Sequence, residues 1–257
     1  MNKKELYNLV FGDGDKFTNF YFDKRRNKIF SYEKVLNNTT VGLVNVVDLN
    51  LCQNDKSFKT ALITGVCTAP NMRNKGIMNN LLNEVLNDLT SKNYQMAILS
   101  PVSKDYYKKY GFKPLICGNL VPISHVPNIE ITTKKATKID TKLILDLYND
   151  ISKEYSLYQQ ITDNIILDLL DDCDMSGSEI LIVYKNQLPI GWFLKDGNSI
   201  EIIVLPNCNI LNNIKQLDGF TYFINDLTGK KELFQIKYLN ECTPNLKVNN
   251  ALIISKY

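Results

Sequence analysis

Residues 60–78, TALITGVCTAPNMRNKGIM, lead an apolar segment through a short polar loop and a glycine into the start of an amphipathic stripe. A helix that begins there exposes about four unpaired N–H groups in its first turn and carries roughly half a positive charge at that end. Arg73 and Lys75 add cationic side chains beside it, and Pro70 ends the preceding strand. Gly76 lets the backbone approach a ligand with no Cβ in the way. Such a turn suits a pyrophosphate. On the Arg-x-x-Gly spacing alone, an ordinary strand-to-helix junction with surface basic residues fits equally well. The turn is neither a Gly-x-x-x-x-Gly-Lys phosphate loop nor a three-glycine dinucleotide fingerprint, since both spacings are missing.

Further along, residues 106–112 read YYKKYGF. A phenol of ordinary pKa, about 10, can protonate a departing thiolate whose thiol has a pKa of about 8.5. Tyr106, Tyr107 and Tyr110 can equally be packing residues of a short amphipathic turn.

The elements that must hold these stretches follow from periodicity. Residues 3–10 and 17–25 read as short helices broken by Phe11-Gly-Asp-Gly-Asp. Residues 28–34, 41–51 and 58–68 read as strands, the first two separated by the Asn-Asn-Thr-Thr turn. From 76 to 92 the period changes: Ile77, Leu81, Leu82, Val85, Leu86 and Leu89 recur at spacings of three and four, the stripe of an amphipathic helix. Residues 96–100 read as a strand, 102–110 as a short helix closed by Gly111, and 112–121 as a strand. The result is a mixed α/β domain closing near Val126. Residues 127–140 form a polar connection with room for one strand. The second half restarts with helices at 143–155 and 163–170, then strands at 179–184, 189–195 and 199–205, with Asp196-Gly197 as a hairpin turn. Two helices followed by a strand meander thus occur twice, the pattern of a diverged internal duplication.

Bulk properties bound the class. With 257 residues there is room for one large domain or two ordinary ones. The 44% apolar and 22% charged content is that of a soluble globular protein. The 30 basic and 27 acidic residues nearly cancel, which argues against the dense basic face that nucleic acid recruits. No segment approaches the ~18–20 apolar residues of a membrane span, and the N-terminus lacks a signal-peptide pattern. The six cysteines have no Cys-x-x-Cys spacing, so zinc and redox motifs are not expected; reduced thiols in a cytoplasm are.

Taken together, the two stretches resemble the GNAT superfamily of acetyl-CoA-dependent N-acetyltransferases. That pattern is a strand, Pro-x-x-Arg-x-x-Gly-x-(Gly/Ala), a helix, a strand, and an aromatic-Tyr-x-x-x-Gly-Phe element. Here it reads Pro70-Asn-Met-Arg73-Asn-Lys-Gly76-Ile-Met78, then Tyr106-Tyr107-Lys-Lys-Tyr-Gly111-Phe112. Met78 departs from the Gly or Ala of most members. A large apolar residue there resembles the enhanced-intracellular-survival (Eis) branch. So do Glu5-Leu-Tyr, Val10-Phe-Gly-Asp, Phe17, Tyr21-Phe22 and Gly65-Val66-Cys67-Thr68-Ala69-Pro70. The likeness is close over 1–125 and looser over 140–205, where Leu147-Tyr148, Tyr155-Ser-Leu-Tyr158 and Gly191-Trp192-Phe193 carry it. Pro206-Asn-Cys-Asn follows, with no Arg-x-x-Gly loop.

The resemblance implies tandem acyl-CoA N-acyltransferase (GNAT) folds of the mixed α/β class. Residues 1–127 would be the catalytic domain and 128–257 a degenerate copy without a coenzyme loop. It implies transfer of an acetyl group from acetyl-CoA, as co-substrate, to a primary amine of a small molecule or peptide, in a ternary complex. Val66, Cys67, Thr68, Arg73, Asn74, Lys75, Gly76, Ile77, Met78 and Ser103 would hold the coenzyme. Tyr107 would protonate the thiolate, with Tyr106 and Tyr110 as packing. The base that takes the amine proton stays open among a carboxylate of the N-terminal helices, a water chain and the Tyr257 terminus. The lone histidine, His125, is read as structural or exposed, the pair Trp192 and Phe193 as core with lining of an acceptor cleft between the domains as the alternative, and Cys67, with no partner histidine, as packing rather than a nucleophile. The Eis pattern adds a third, sterol-carrier-like domain for which this chain is too short, so the homo-oligomer of that pattern is a weaker expectation. Neither nucleic acid nor membrane is expected as a partner. The alternative is a non-catalytic acetyl-CoA-binding sensor or interaction module.

Overall fold

The computed structural model describes residues 1–103, 105–126, 130–225, 229, 231–240, 246 and 248–254. Contacts divide the chain into two units, Met1–Ile116 with Glu232–Lys247, and Cys117–Lys231 with Val248–Lys256.

The first unit opens with helix α1 (Lys3–Phe11), capped by Asn2 in a capping box with Glu5 and closed by left-handed Gly12. Helix α2 (Gly14–Asn19) continues into a π-helical turn, Phe20–Lys24, so the helix read at 17–25 starts earlier and is underwound at its end. Strands β1 (Ile29–Leu36), β2 (Thr39–Gln53) and β3 (Lys56–Thr68) form an antiparallel meander. Helix α3 (Ile77–Ser91) crosses over, and β4 (Met96–Leu99) returns parallel to β3.

Strand alternation sorts the apolar residues onto two faces. Val44, Val46, Ala61 and Ile63 pack under the α3 stripe of Leu81, Leu82, Val85, Leu86 and Leu89. Val41, Leu43 and Cys67 pack under Leu6, Tyr7 and Tyr21. The helix expected at 102–110 is reduced to one 3-10 turn, Lys108–Tyr110. Pro101 and Ser103 favour a turn over a helix start, and too few residues remain before Gly111 (φ +86) to repay helix nucleation.

Strand β5 (Lys113–Pro122) leads into the second unit. There follow β6 (Ile131–Lys135), α4 (Thr141–Ser152), β7 (Leu157–Gln160), α5 (Asp163–Ser176), β8 (Glu179–Lys185), β9 (Leu188–Asp196), β10 (Ser199–Val204) and β11 (Thr221–Asn225). Their order across the sheet is β5-β11-β10-β9-β8-β6. Helices α4 and α5 cover one face through Ile144, Tyr148, Ile166 and Leu169, which pack on Ile182, Trp192, Leu194 and Val204. The chain then returns as β12 (Lys231–Tyr238), which pairs antiparallel with β4 in the first unit, and as β13 (Ala251–Leu252), which pairs with β7 in the second. Among the described residues no helix is long and apolar enough to cross a membrane.

Candidate functional site

Strand β3 changes partners along its length. Thr60, Ala61 and Leu62 pair with Met96, Ala97 and Ile98 of β4, and the pairing stops there. With β2 the same strand stays paired to its end, Thr68 opposite Gly42. Among the described residues, its edge from Ile63 to Thr68 therefore lies open toward the β4 side. The register explains why. Cys67 opposes Leu43 and Thr64 opposes Asn45, so Gly65 and Val66 together oppose Val44 in a β-bulge. Gly65 is left-handed at φ +57, and a Cβ on it would lie 2.6 Å from Asn45 Nδ2 and 3.3 Å from the Tyr7 ring. The bulge thus requires glycine.

Beyond the strand, the amide of Ala69 still donates to Val41 O at 2.9 Å. Pro70–Met72 makes one 3-10 turn, Asn74 is left-handed (φ +61), and Gly76 (φ +75) starts α3. Among the described residues no side chain caps that helix end, and its first turn holds no acid, so its leading N–H groups keep their capacity for an anion. Residues 73–76 are all exposed, and a Cβ on Gly76 would meet nothing within 4 Å. Arg73 Nε donates to Thr68 O at 3.4 Å and Lys75 Nζ lies 3.5 Å from Met72 Sδ. Two cations, a bare helix end and an open backbone fit a diphosphate.

Several expected coenzyme residues can offer only backbone. The side chains of Cys67 and Met78 are buried in the cores on opposite faces of the sheet. Ile77 packs on Gly42, whose missing Cβ would sit 2.9 Å from Ile77 Cγ2. Burial pushes the Cys67 thiol up to about 12, against a smaller downward pull from Arg73, so at neutral pH it is an unreactive thiol. Ser103 is exposed, and its carbonyl accepts from the Tyr106 amide at 3.3 Å.

Tyr107 starts the 3-10 turn, its carbonyl accepting from Tyr110 N at 3.0 Å and Phe112 N at 3.4 Å. Its ring meets Tyr106 edge-on at 5.0 Å and Phe112 at 6.0 Å. It shares one packed cluster with Met78, Ile63 and Leu99, against which Val66 also packs. Burial, then the neighbouring Tyr106 and Tyr110, push its phenol up to about 12. It is therefore neutral across the physiological range. The structure brings the bulge strand, the α3 end and Tyr107 into one unit.

Other expected residues lie elsewhere. Trp192 is fully buried in the second unit with Nε1 donating to Ile144 O at 3.1 Å, and Phe193 is fully buried too, so both are core. The His125 amide donates to Asp218 Oδ1 at 3.0 Å in that same unit. Tyr257 lies outside the described residues. Sequence reasoning assigned no role to Asn45, although a lone amide inside the apolar run Val41–Leu49 was a visible signal, nor to Lys237, which carried none.

Residues 3–115 match the family model of the acetyltransferase (GNAT) domain. Among solved structures, the chain is similar to a probable N-acyltransferase, a conserved protein of unknown function from Enterococcus faecalis (TM-score 0.70, 14% identity, 92% of this chain and 69% of that one). It is similar to a GCN5-related N-acetyltransferase from Anabaena variabilis (TM-score 0.68, 12% identity, 93% and 70%). It is also similar to Eis1 from Mycobacterium abscessus (TM-score 0.58, 10% identity, 80% and 63%). No curated protein matches. Over residues 3–115 the chain is similar to GNAT acetyltransferase domains, and the structural likeness, reaching across both units, shows the tandem GNAT-like fold.

Proposed function

We propose, from the likeness of residues 3–115 to GNAT acetyltransferase domains, that the protein is an N-acetyltransferase using acetyl-CoA directly on a primary amine of a small molecule or peptide, in a ternary complex. The observation that supports this most is the open edge of β3 beyond Leu62, which ends at a bare, doubly cationic helix start. Acetyl-CoA supplies an activated thioester. The backbone of Val66, Cys67 and Thr68 lines its pantetheine arm as an added strand would. Arg73, Asn74, Lys75 and Gly76, with the leading amides of Ile77 and Met78, hold its diphosphate, and Ser103 flanks it. An amide at the bulge orients the thioester carbonyl and stabilises charge that develops on its oxygen. The amine nitrogen bonds to that carbon as the carbon–sulfur bond breaks. The sulfur takes its proton from Tyr107, and the amine proton leaves to a base on the acceptor side.

The proposal gives a coenzyme to the domain read over 1–127 and none to the one read over 128–257, even though β12 of the later stretch belongs to the first unit. After β10, residues 206–213 run through Asn207 into a 3-10 turn with no Arg-x-x-Gly loop. Release of free thiol from acetyl-CoA against a panel of amines tests the reading. Tight CoA binding with no turnover on any amine favours the sensor alternative instead.

A further inference from the structure

Asn45 is an anomaly in strand β2. It is fully buried in the run Val41–Leu49, where its neighbours are Val44 and Val46. A buried amide costs free energy unless both of its ends are hydrogen-bonded. Here one end is: Nδ2 donates to Tyr21 Oη at 3.4 Å. The other end, Oδ1, is buried and has no partner among the described residues. A leucine of the same shape would avoid that cost, so the amide stands there at the expense of stability.

Its position says what it is for. Asn45 opposes Thr64, at the residue where the β2–β3 register shifts. Its amide nitrogen occupies the space a Cβ on Gly65 would need, 2.6 Å away. The Tyr7 ring closes on the same point at 3.3 Å and stacks on Tyr21 with centroids 4.9 Å apart. Tyr21 itself is aimed by the π-helical turn Phe20–Lys24, a local irregularity that often marks a functional site. Two side chains from two elements thus meet the left-handed glycine of the bulge, Tyr7 with its ring and Asn45 with a polar group from the neighbouring strand, and Tyr21 contacts both of them.

We propose that Asn45, held by Tyr21, is a positioning residue that locks the Gly65–Val66 peptides in the orientation presented to the thioester carbonyl. It acts through the backbone and touches no reacting atom. This inference rests on the acetyltransferase reading and deepens it: the protein spends a buried amide on the direction of one backbone donor.

The test uses Asn45→Leu and Tyr21→Phe in the full chain, with Asn45→Asp as a second variant should the leucine fail to fold. Asn45→Leu keeps or raises the melting temperature and leaves CoA affinity unchanged, because the diphosphate site is untouched. Its kcat falls about 10–100-fold, the scale of a misaligned catalytic group, while KM for acetyl-CoA moves little. Tyr21→Phe shifts kcat the same way by less. A readout independent of turnover is the carbonyl stretch of bound 13C-labelled acetyl-CoA. It lies at lower wavenumber than in water on the native protein, and moves back toward the free value in Asn45→Leu. An unchanged stretch and unchanged kcat in both variants overturn the proposal while leaving the acetyltransferase reading intact. A native protein that turns over no amine yet shows the variant-sensitive stretch overturns only that reading. Absence of any CoA binding overturns both.

Discussion

Lys237 Nζ donates to the carbonyl of Tyr110 at 2.7 Å, reaching it from a strand that lies 127 residues later in the chain. The same nitrogen is 2.9 Å from the place a Cβ on Gly111 would take. The 3-10 turn that carries Tyr107 is thus pinned at its C-terminal end, where a cation also complements the free carbonyls. Replacing Lys237 with Met keeps the aliphatic stem and removes the donor. A hydrogen bond to a charged group contributes about 1.5–3 kcal/mol, and the half-buried setting puts this one at the low end. The expected result is a loss of about 1.5 kcal/mol in denaturant unfolding, with kcat reduced more than KM as the Tyr107 turn loosens. Equal kcat in the variant and the native protein would refute the coupling.

That contact was out of reach of any reading of the sequence, and the reason is general. The α3 stripe from Ile77 to Leu89 is a local periodicity and the apolar runs at 41–51 and 58–68 are local signals; the structure has the stripe as read, the first strand longer at both ends (Thr39–Gln53) and the second longer at its start (Lys56–Thr68). Gly76 and the Asp196-Gly197 hairpin are local too, because each needs a backbone conformation that glycine supplies at least cost. The return of β12 beside β4 is a pairing across the whole chain, and nothing near residue 231 announces it. Short strands such as β7 and β13 have too few residues to show a period. The bulge lies between these cases. Gly65 was visible, but that it opposes Asn45 follows only from the register.

Gly65 and Gly76 make a contrasting pair. Both are left-handed, at φ +57 and +75. An L-residue in that region costs about 1–2 kcal/mol. At Gly65 the new methyl also collides with Asn45 and Tyr7, an overpacking cost of about 1–3 kcal/mol. Gly65→Ala is therefore expected to lose about 3 kcal/mol. At Gly76 nothing lies within 4 Å, so Gly76→Ala loses only about 1 kcal/mol but presents a methyl to the phosphates and weakens CoA binding. Thermal melts with and without CoA separate the two: Gly65→Ala melts lower in both, and Gly76→Ala loses chiefly the ligand-induced shift.

Arg73 and Lys75 are exposed cations beside a bare helix end. If they hold a diphosphate, removing either costs binding rather than chemistry. Arg73→Ala is expected to raise Kd for CoA about 10–100-fold, the equivalent of 1.5–3 kcal/mol for a charge-assisted hydrogen bond. Lys75→Ala does less, as a point charge without the fork geometry of arginine. The native affinity weakens with added salt, and less steeply in each variant. Isothermal titration over a range of sodium chloride concentrations reads both effects, and salt-independent binding would exclude the turn as the anion site.

The raised phenol of Tyr107 gives the proposed mechanism a pH signature. Its upward shift to about 12 comes first from burial and then from Tyr106 and Tyr110. An acid that must be protonated to serve the thiolate stays competent until the pH approaches that value. The alkaline limb of kcat that belongs to Tyr107 therefore falls beyond the ordinary tyrosine range near 10. The stability consequence has a definite sign. Between about 10 and 12 the folded chain keeps a proton that the unfolded chain has released, so stability present below 10 is lost as pH rises through that window. Tyr107→Phe removes both effects. It lowers kcat about 10²–10⁴-fold, the range for a general acid, leaves CoA affinity unchanged, and flattens part of the alkaline decline in melting temperature. A variant that keeps native turnover would show that another group, or water, supplies the proton.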